Sequence, residues 1–136
     1  MRRACLAACA LAAVAGCSPA ATASAPAHPT SVTLRIHHSH FTPMSFSVAG
    51  GTTVRIIVRN TDPIDHELIV GDQATQDRHE QGTDARHDGS VPGEVSVPAG
   101  SVVVTSYRFG PPGRLLYGCH LPGHWAYGMH GIVHIS

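Results

Sequence analysis

The stretch "SVTLRIHH", residues 31–38, places Val32, Leu34 and Ile36 on one side of the chain and Thr33, Arg35 and His37 on the other. A two-residue period is that of a half-buried strand; a helix repeats its faces every 3.6 residues. "TTVRIIVRN" (52–60) repeats the pattern, with Val54, Ile56 and Val58 inward and Arg55 and Arg59 outward. "HELIV" (66–70), "SVVVTSYRF" (101–109), "GRLLYGC" (113–119) and "GIVHI" (131–135) are further β-rich runs. Turn signals part them: "AGG" at 49–51, "NTDP" at 60–63, "PAG" at 98–100 and "PPG" at 111–113. No stretch keeps a helical period for three turns. The expected fold is all-β, a Greek-key antiparallel β-sandwich of seven to eight short strands. Residues 71–94 are polar and lack alternation, and are expected to form a long loop in which "ATQDRHEQ" has room for a turn or two of helix.

The N-terminal end reads differently. Arg2 and Arg3 precede a short apolar run, Leu6 to Val14, too short to span a bilayer as a stable helix. This is the pattern of a signal peptide, residues 1–16. "VAGC" (14–17) resembles the lipobox of bacterial lipoproteins, which implies a lipid-bearing Cys17 as first residue after cleavage. Residues 17–30 would then be the lipidated cysteine and a flexible Ala/Pro/Ser tether, and 31–136 the folded domain. The implied location is outside the cytoplasm, anchored by lipid to the outer face of the cytoplasmic membrane or the periplasmic face of a bacterial membrane.

Cleavage also changes the cysteine inventory. Cys5 and Cys9 leave with the signal, lipid consumes Cys17, and Cys119 alone stays a thiol, so it has no partner for a disulfide or a redox pair. Without Arg2 and Arg3, seven basic residues face nine acidic ones, a net charge of about −2, and no basic patch points to nucleic acid.

Cys119 sits in "GCHLPGHWAYGM" (118–129), with His120, His124 and Met129. Structural zinc wants four ligands, usually with cysteines in close pairs, and a thioether serves it poorly. A nucleophilic Cys–His pair leaves the methionine unexplained. Copper accounts for thiolate, imidazoles and a distant thioether together. A loop this short cannot close the site alone, and "NTDPIDHELIV" (60–70) offers His66 at the start of a strand.

"FTP" (41–43), "AGGTTVRIIVRNTDPIDH" (49–66) and "YGCHLPGHWAYGMHG" (117–131) together resemble the cupredoxin family of blue copper proteins over essentially all of 31–136. The spacing C-x4-H-x4-M is similar to that of auracyanins and rusticyanins and longer than the plastocyanin loop. The resemblance implies a cupredoxin-like sandwich holding one type 1 copper per chain. It implies His66, Cys119 and His124 as equatorial ligands and Met129 as the axial one. Glu67 places a carboxyl group beside the site. His120 follows the cysteine, as a histidine does in multicopper oxidases, but those proteins usually flank the cysteine on both sides and position 118 is glycine.

On this reading the chain is a membrane-tethered monomer, not an enzyme by itself, that shuttles single electrons between redox protein partners. Leu121, Pro122 and Trp125 are expected to form the apolar surface around His124 through which those partners are met. Eleven histidines are many for 136 residues. Each of His38, His40, His79 and His87 alone reads as a solvated side chain; together they offer a second metal site. That excess supports an alternative role in copper buffering, delivery or resistance. A small copper oxidase or nitrite reductase-like enzyme, using His120 and "HHSH" (37–40), is the remaining alternative.

Overall fold

The computed structural model describes residues 28–82 and 86–136. The expected signal peptide, Cys17 and the tether up to residue 27 lie outside the described residues. Nine strands and one helix follow in order: β1 (Ser31–His37), β2 (His40–Thr42), β3 (Ser45–Val48), β4 (Thr53–Asn60), β5 (His66–Gly71), α1 (Gln73–Glu80), β6 (Glu94–Val97), β7 (Val102–Arg108), β8 (Gly113–Gly118) and β9 (His130–Ile135). They form two sheets, β2-β1-β4-β7 and β3-β9-β8-β5-β6. Among the described residues no helix is long and apolar enough to cross a membrane.

The expected sandwich is present, with two corrections. Among the described residues there are nine strands rather than seven or eight, and each sheet is mixed. β1 pairs with β4 in parallel, Val32 opposite Ile56, and β3 pairs with β9 in parallel, Phe46 opposite Val133. Parallel neighbours need a crossover, and here the chain makes one by sending β2 and β3 to different sheets before returning as β4. The alternating residues behave as their period requires. Val32, Leu34 and Ile36 from β1 meet Val54, Ile56 and Val58 from β4, and the second sheet supplies Leu68, Val70, Val97, Tyr117 and Val133.

β5 is buried at every residue because both of its faces are covered. One face lies on the core; α1 packs over the other and over β8. The helix starts where Asp72 caps it, its carboxylate accepting the Thr75 amide at 2.8 Å. It stops before Gly82, which takes φ of 98°. The turn or two of helix expected within 71–94 is α1, which fills the first third of that stretch, and Glu94 at its end opens β6.

Tyr117 organises the middle of the second sheet. Its hydroxyl donates to the Pro43 carbonyl at 2.6 Å, and its ring lies across Gly131 on β9. A Cβ at position 131 would collide with that ring. Gly131→Ala should therefore cost about 1–3 kcal/mol through overpacking, read as a fall in thermal midpoint. An unchanged midpoint would show that the Tyr117 ring has room to move.

Candidate metal centre

The strand pairing carries four residues of the sequence motif to one end of the sandwich. Gly118, last in β8, is opposite His130, first in β9, and opposite Ile69 in β5. The start of β5 and the loop between β8 and β9 therefore share that end. The loop is closed by its own backbone: the Cys119 amide donates to the Met129 carbonyl at 3.1 Å, and the Met129 amide to the His124 carbonyl at 3.0 Å. Pro122 and Gly123 make the turn, with Gly123 at φ of 82°, and the His124 amide donates to the Leu121 carbonyl at 2.9 Å.

His66, Cys119 and His124 converge. His124 Nδ1 stands 3.3 Å from His66 Nδ1 and 3.2 Å from Cys119 Sγ. His66 and Cys119 are fully enclosed, as is Met129, while His124 is half-buried. Two nitrogens each about 2.0 Å from a shared first-row ion lie about 3.3 Å apart in a trigonal or tetrahedral set, so the spacing fits a common ion. Borderline imidazoles with a soft thiol and an adjacent thioether-bearing residue form a donor set that suits copper in either oxidation state.

The ring of His66 is aimed by Asp62. Its Nε2 donates to Asp62 Oδ2 at 3.0 Å, which leaves Nδ1 as a lone pair facing the other donors. Burial holds His66 below the usual imidazole range against the opposing pull of Asp62, so the ring is neutral and ready to ligate. Burial also raises Asp62, but the amides of Ser39 and His38 and the His66 ring outweigh it and hold the carboxyl below its ordinary value. Those amides donate at 2.8 and 2.7 Å. Burial pushes the Cys119 thiol up to about 11, with the amides of Leu121 and Glu67 pulling the other way. At neutral pH a cation must displace that proton to gain the thiolate.

Glu67 proves to be a tie between the two ligand-bearing segments. Its Oε1 accepts the His120 amide at 2.8 Å, joining β5 to the residue after Cys119. His120 itself points away from the converging donors. Nδ1 faces Glu80 Oε2 and Nε2 faces Gln76 Oε1, each at 2.8 Å, and the Gln76 amide nitrogen is turned toward the Ile69, Gly71 and Leu116 carbonyls. With both ring nitrogens engaged, His120 has no free donor for a second ion.

Of the residues expected around His124, Leu121 packs in part against the core, Pro122 is exposed, and Trp125 is half-buried. Trp125 stacks on His120 at 4.7 Å, approaches His130 at 4.6 Å, and lies over Gly118. Tyr127, 64% exposed, is the large aromatic of the loop that faces outward. It follows His124 by three residues in a helix-like turn, where its amide donates to Gly123, and that spacing shares a face; the spacing was present in the sequence as a signal.

The four histidines offered as a second site do not come together. His38 and His40 sit at the corner between β1 and β2, where the His40 ring meets the His38 carbonyl, and no third donor group forms around them among the described residues. His79 and His87 do meet, with Glu94 as the third member. They are not solvated: the side chains of His79 and His87 are 2% and 8% exposed, because α1 folds down on the sheet. Asp62 and Glu94 were missed; Asp62 stands four residues before His66 in its turn, whereas nothing marks Glu94 locally.

Asp62→Ala would leave two amides and an imidazole N–H without their acceptor. We expect a loss of about 2–4 kcal/mol and a fall in metal affinity of about 10–100-fold, read by denaturant unfolding of the metal-free chain and by metal titration. Unaltered affinity in a destabilised chain would mean that His66 needs no aiming.

No protein-family model matches the chain. It is 35% identical over 95 residues to the "Copper-resistant cuproprotein CopI" of Rubrivivax gelatinosus, a match covering 68% of this chain and 58% of that protein. The chain thus spans less than two thirds of that relative's length. Among solved structures it is similar to the sodium-dithionite-reduced auracyanin of Roseiflexus castenholzii (TM-score 0.68, 15% identity, 80% of this chain and 98% of that one). It is also similar to auracyanin A of Chloroflexus aurantiacus, described as a "blue" copper protein (TM-score 0.65, 19% identity, 79% and 99%). Auracyanin B gives a TM-score of 0.64 at 21% identity, over 78% and 88%. The chain has the fold of these auracyanins, with two imidazoles and a thiol meeting at the end of the sandwich where β5, β8 and β9 converge.

Proposed function

We propose that the chain is a type 1 copper protein that carries single electrons, with His66, Cys119 and His124 as equatorial ligands and Met129 as the axial one. It acts as a carrier and not as an enzyme. One observation carries this reading: the donors are enclosed and already aimed by hydrogen bonds, and His124 alone of them reaches toward solvent. When bound, copper supplies the one-electron couple. The chain does the rest. Asp62 fixes the His66 ring, Glu67 and the Leu121 amide fix the surroundings of Cys119, and the closed loop excludes water, so little needs to rearrange between oxidation states.

Partners would dock on the loop around His124, where Pro122, Gly123, Ala126 and Tyr127 are exposed. This replaces Trp125 with Tyr127 as the outward aromatic. A small, partly apolar face suits brief encounters between redox proteins. A second reading, copper tolerance by binding or delivery, is favoured by the name of the relative from Rubrivivax gelatinosus.

Kinetics separates the two. With a small cupredoxin or cytochrome as partner, electron exchange should be fast while copper passes to a competing chelator only slowly. Tyr127→Glu should slow exchange about tenfold or more and leave the visible absorption unchanged. Copper leaving the parent chain faster than electrons do would reject the carrier reading in favour of delivery.

We further propose that the chain works outside the cytoplasm as a monomer, tethered through lipid on Cys17. Support comes from "VAGC" and the uncharged segment that follows it. Cys17→Ala should move the protein from the membrane to the soluble fraction or block its processing; membrane attachment unchanged in that variant would refute the anchor.

A further inference from the structure

We propose that His79, His87 and Glu94 form a second metal site, separate from the first, that takes a divalent first-row cation and favours copper(II). Three elements fix its members. His79 is on the inward side of the last turn of α1. Glu94 opens β6 and pairs with Ile69 of β5. His87 is laid along β6 by two bonds to Ser96: its amide donates to Ser96 Oγ, and its carbonyl accepts the Ser96 amide, each at 2.9 Å.

The hydrogen-bond inventory of these rings is incomplete without a cation. His79 Nδ1 lies 2.8 Å from the Thr75 carbonyl, which can only accept, so that nitrogen carries the proton. In the neutral ring Nε2 then presents a lone pair toward Glu94 Oε2, 3.4 Å away. His87 Nδ1 stands 3.7 Å from the same oxygen, and its Nε2 stands 3.6 Å from Glu67 Oε2. A neutral imidazole carries one ring proton, so one of these two nitrogens also turns a lone pair to a carboxylate. These separations are too long for good hydrogen bonds. A ring gives one nitrogen to an ion, and with one donor atom from each of His79, His87 and Glu94 the three lie within 4.8 Å of one another, close enough to share an ion.

A second observation is independent of that clustering. His87 Nε2 is buried and without any hydrogen-bond partner, on a side chain more than nine-tenths enclosed. An unsatisfied buried ring nitrogen costs about 1–3 kcal/mol, and an ion bound through Nε2 would give that nitrogen the partner it lacks. Glu67 Oε2 faces the same ring, positioned to be a fourth donor. Arg78 engages the other oxygen of Glu94 at 3.9 Å and leaves Oε2 to the cluster. A cleft of about 170 Å³ lined by Arg86, His87, Asp88, Ser90 and Glu94 opens beside His87 and Glu94 and gives an ion a way in.

The donor chemistry selects the occupant. Two imidazoles and a carboxylate hold no sulfur, so they do not favour copper(I). They suit zinc or copper(II), and of the divalent first-row ions copper(II) binds such a set most tightly. The two sites would thus divide the metal by oxidation state, the sulfur-containing one accepting both states and this one only the oxidised ion.

The test uses the full chain with Cys119→Ser and His124→Ala, which leaves the first site one imidazole. After dialysis against copper(II), it should retain about one copper per chain, with the magnetic resonance spectrum of an ordinary nitrogen-ligated site and no intense visible band. Adding His87→Ala, or Glu94→Gln if the former fails to fold, should weaken copper(II) binding at least about tenfold. His38→Ala with His40→Ala should leave it unchanged. Retention of no copper by the first variant, or equal affinity with and without His87 and Glu94, overturns the site; so does a loss that follows His38 and His40. A parent chain that shows the colourless copper without the coloured one would reject the proposed first site and leave this one standing.

Discussion

The Asp62 carboxylate holds the site and the scaffold in one set of bonds. It gathers the amides of His38 and Ser39 and the ring of His66. His38 and Ser39 both take positive φ, 51° and 53°, a conformation that side chains other than glycine disfavour. Two amides converging on one carboxylate offset that cost, and the corner between β1 and β2 is thereby fastened to the first residue of β5. Asn60 backs the arrangement: its Oδ1 accepts the Asp62 amide, and its amide nitrogen donates to the carbonyls of Ile64, Val97 and Pro98. The ligand ring is therefore positioned by the two sheets jointly, before any ion arrives.

The opposite flank of β5 is covered by an element with no apolar stripe. α1 reads "QATQDRHE", and what holds it down is polar. Gln76 spreads its amide over three strand carbonyls, and Glu80 and Gln76 together clasp His120. Such a cover encloses side chains that an ordinary β-sandwich would leave in water, which is how His79, His87, Glu67 and Glu94 come to lie together. Glu67 belongs to both regions at once, one oxygen on the His120 amide and the other toward His87.

The long strands and the converging donors were legible because each has a local signature. β1 and β4 alternate over seven and eight residues, and the motif around Cys119 has a spacing of its own. β2, β3 and β6, of three or four residues, are too short for a period to show. The parallel pairs were illegible for a different reason: which strands lie side by side is decided by packing between distant segments, and alternation is the same in either direction. The burial of His79 and His87 is not legible locally, because the polar run around them predicts exposure and only the docking of α1 reverses it. Trp125 neighbours His124 in the sequence, but adjacent residues in a turn point to different sides, and its half-buried ring stacks on His120.

Gly118 bears on what this chain can become. The Trp125 ring lies where any side chain at 118 would begin, and position 118 is buried between strands on both sides. A protein of this kind could gain a second histidine beside its cysteine only by first losing the tryptophan, which would uncover His120 and strip the loop of its inner packing. A single substitution that put an imidazole on each side of the thiol would therefore drive its side chain into the Trp125 ring. The outward residues of the loop carry no such constraint: Pro122, Ala126 and Tyr127 are exposed, and the face the loop shows to solvent can be altered there while the inner packing stays.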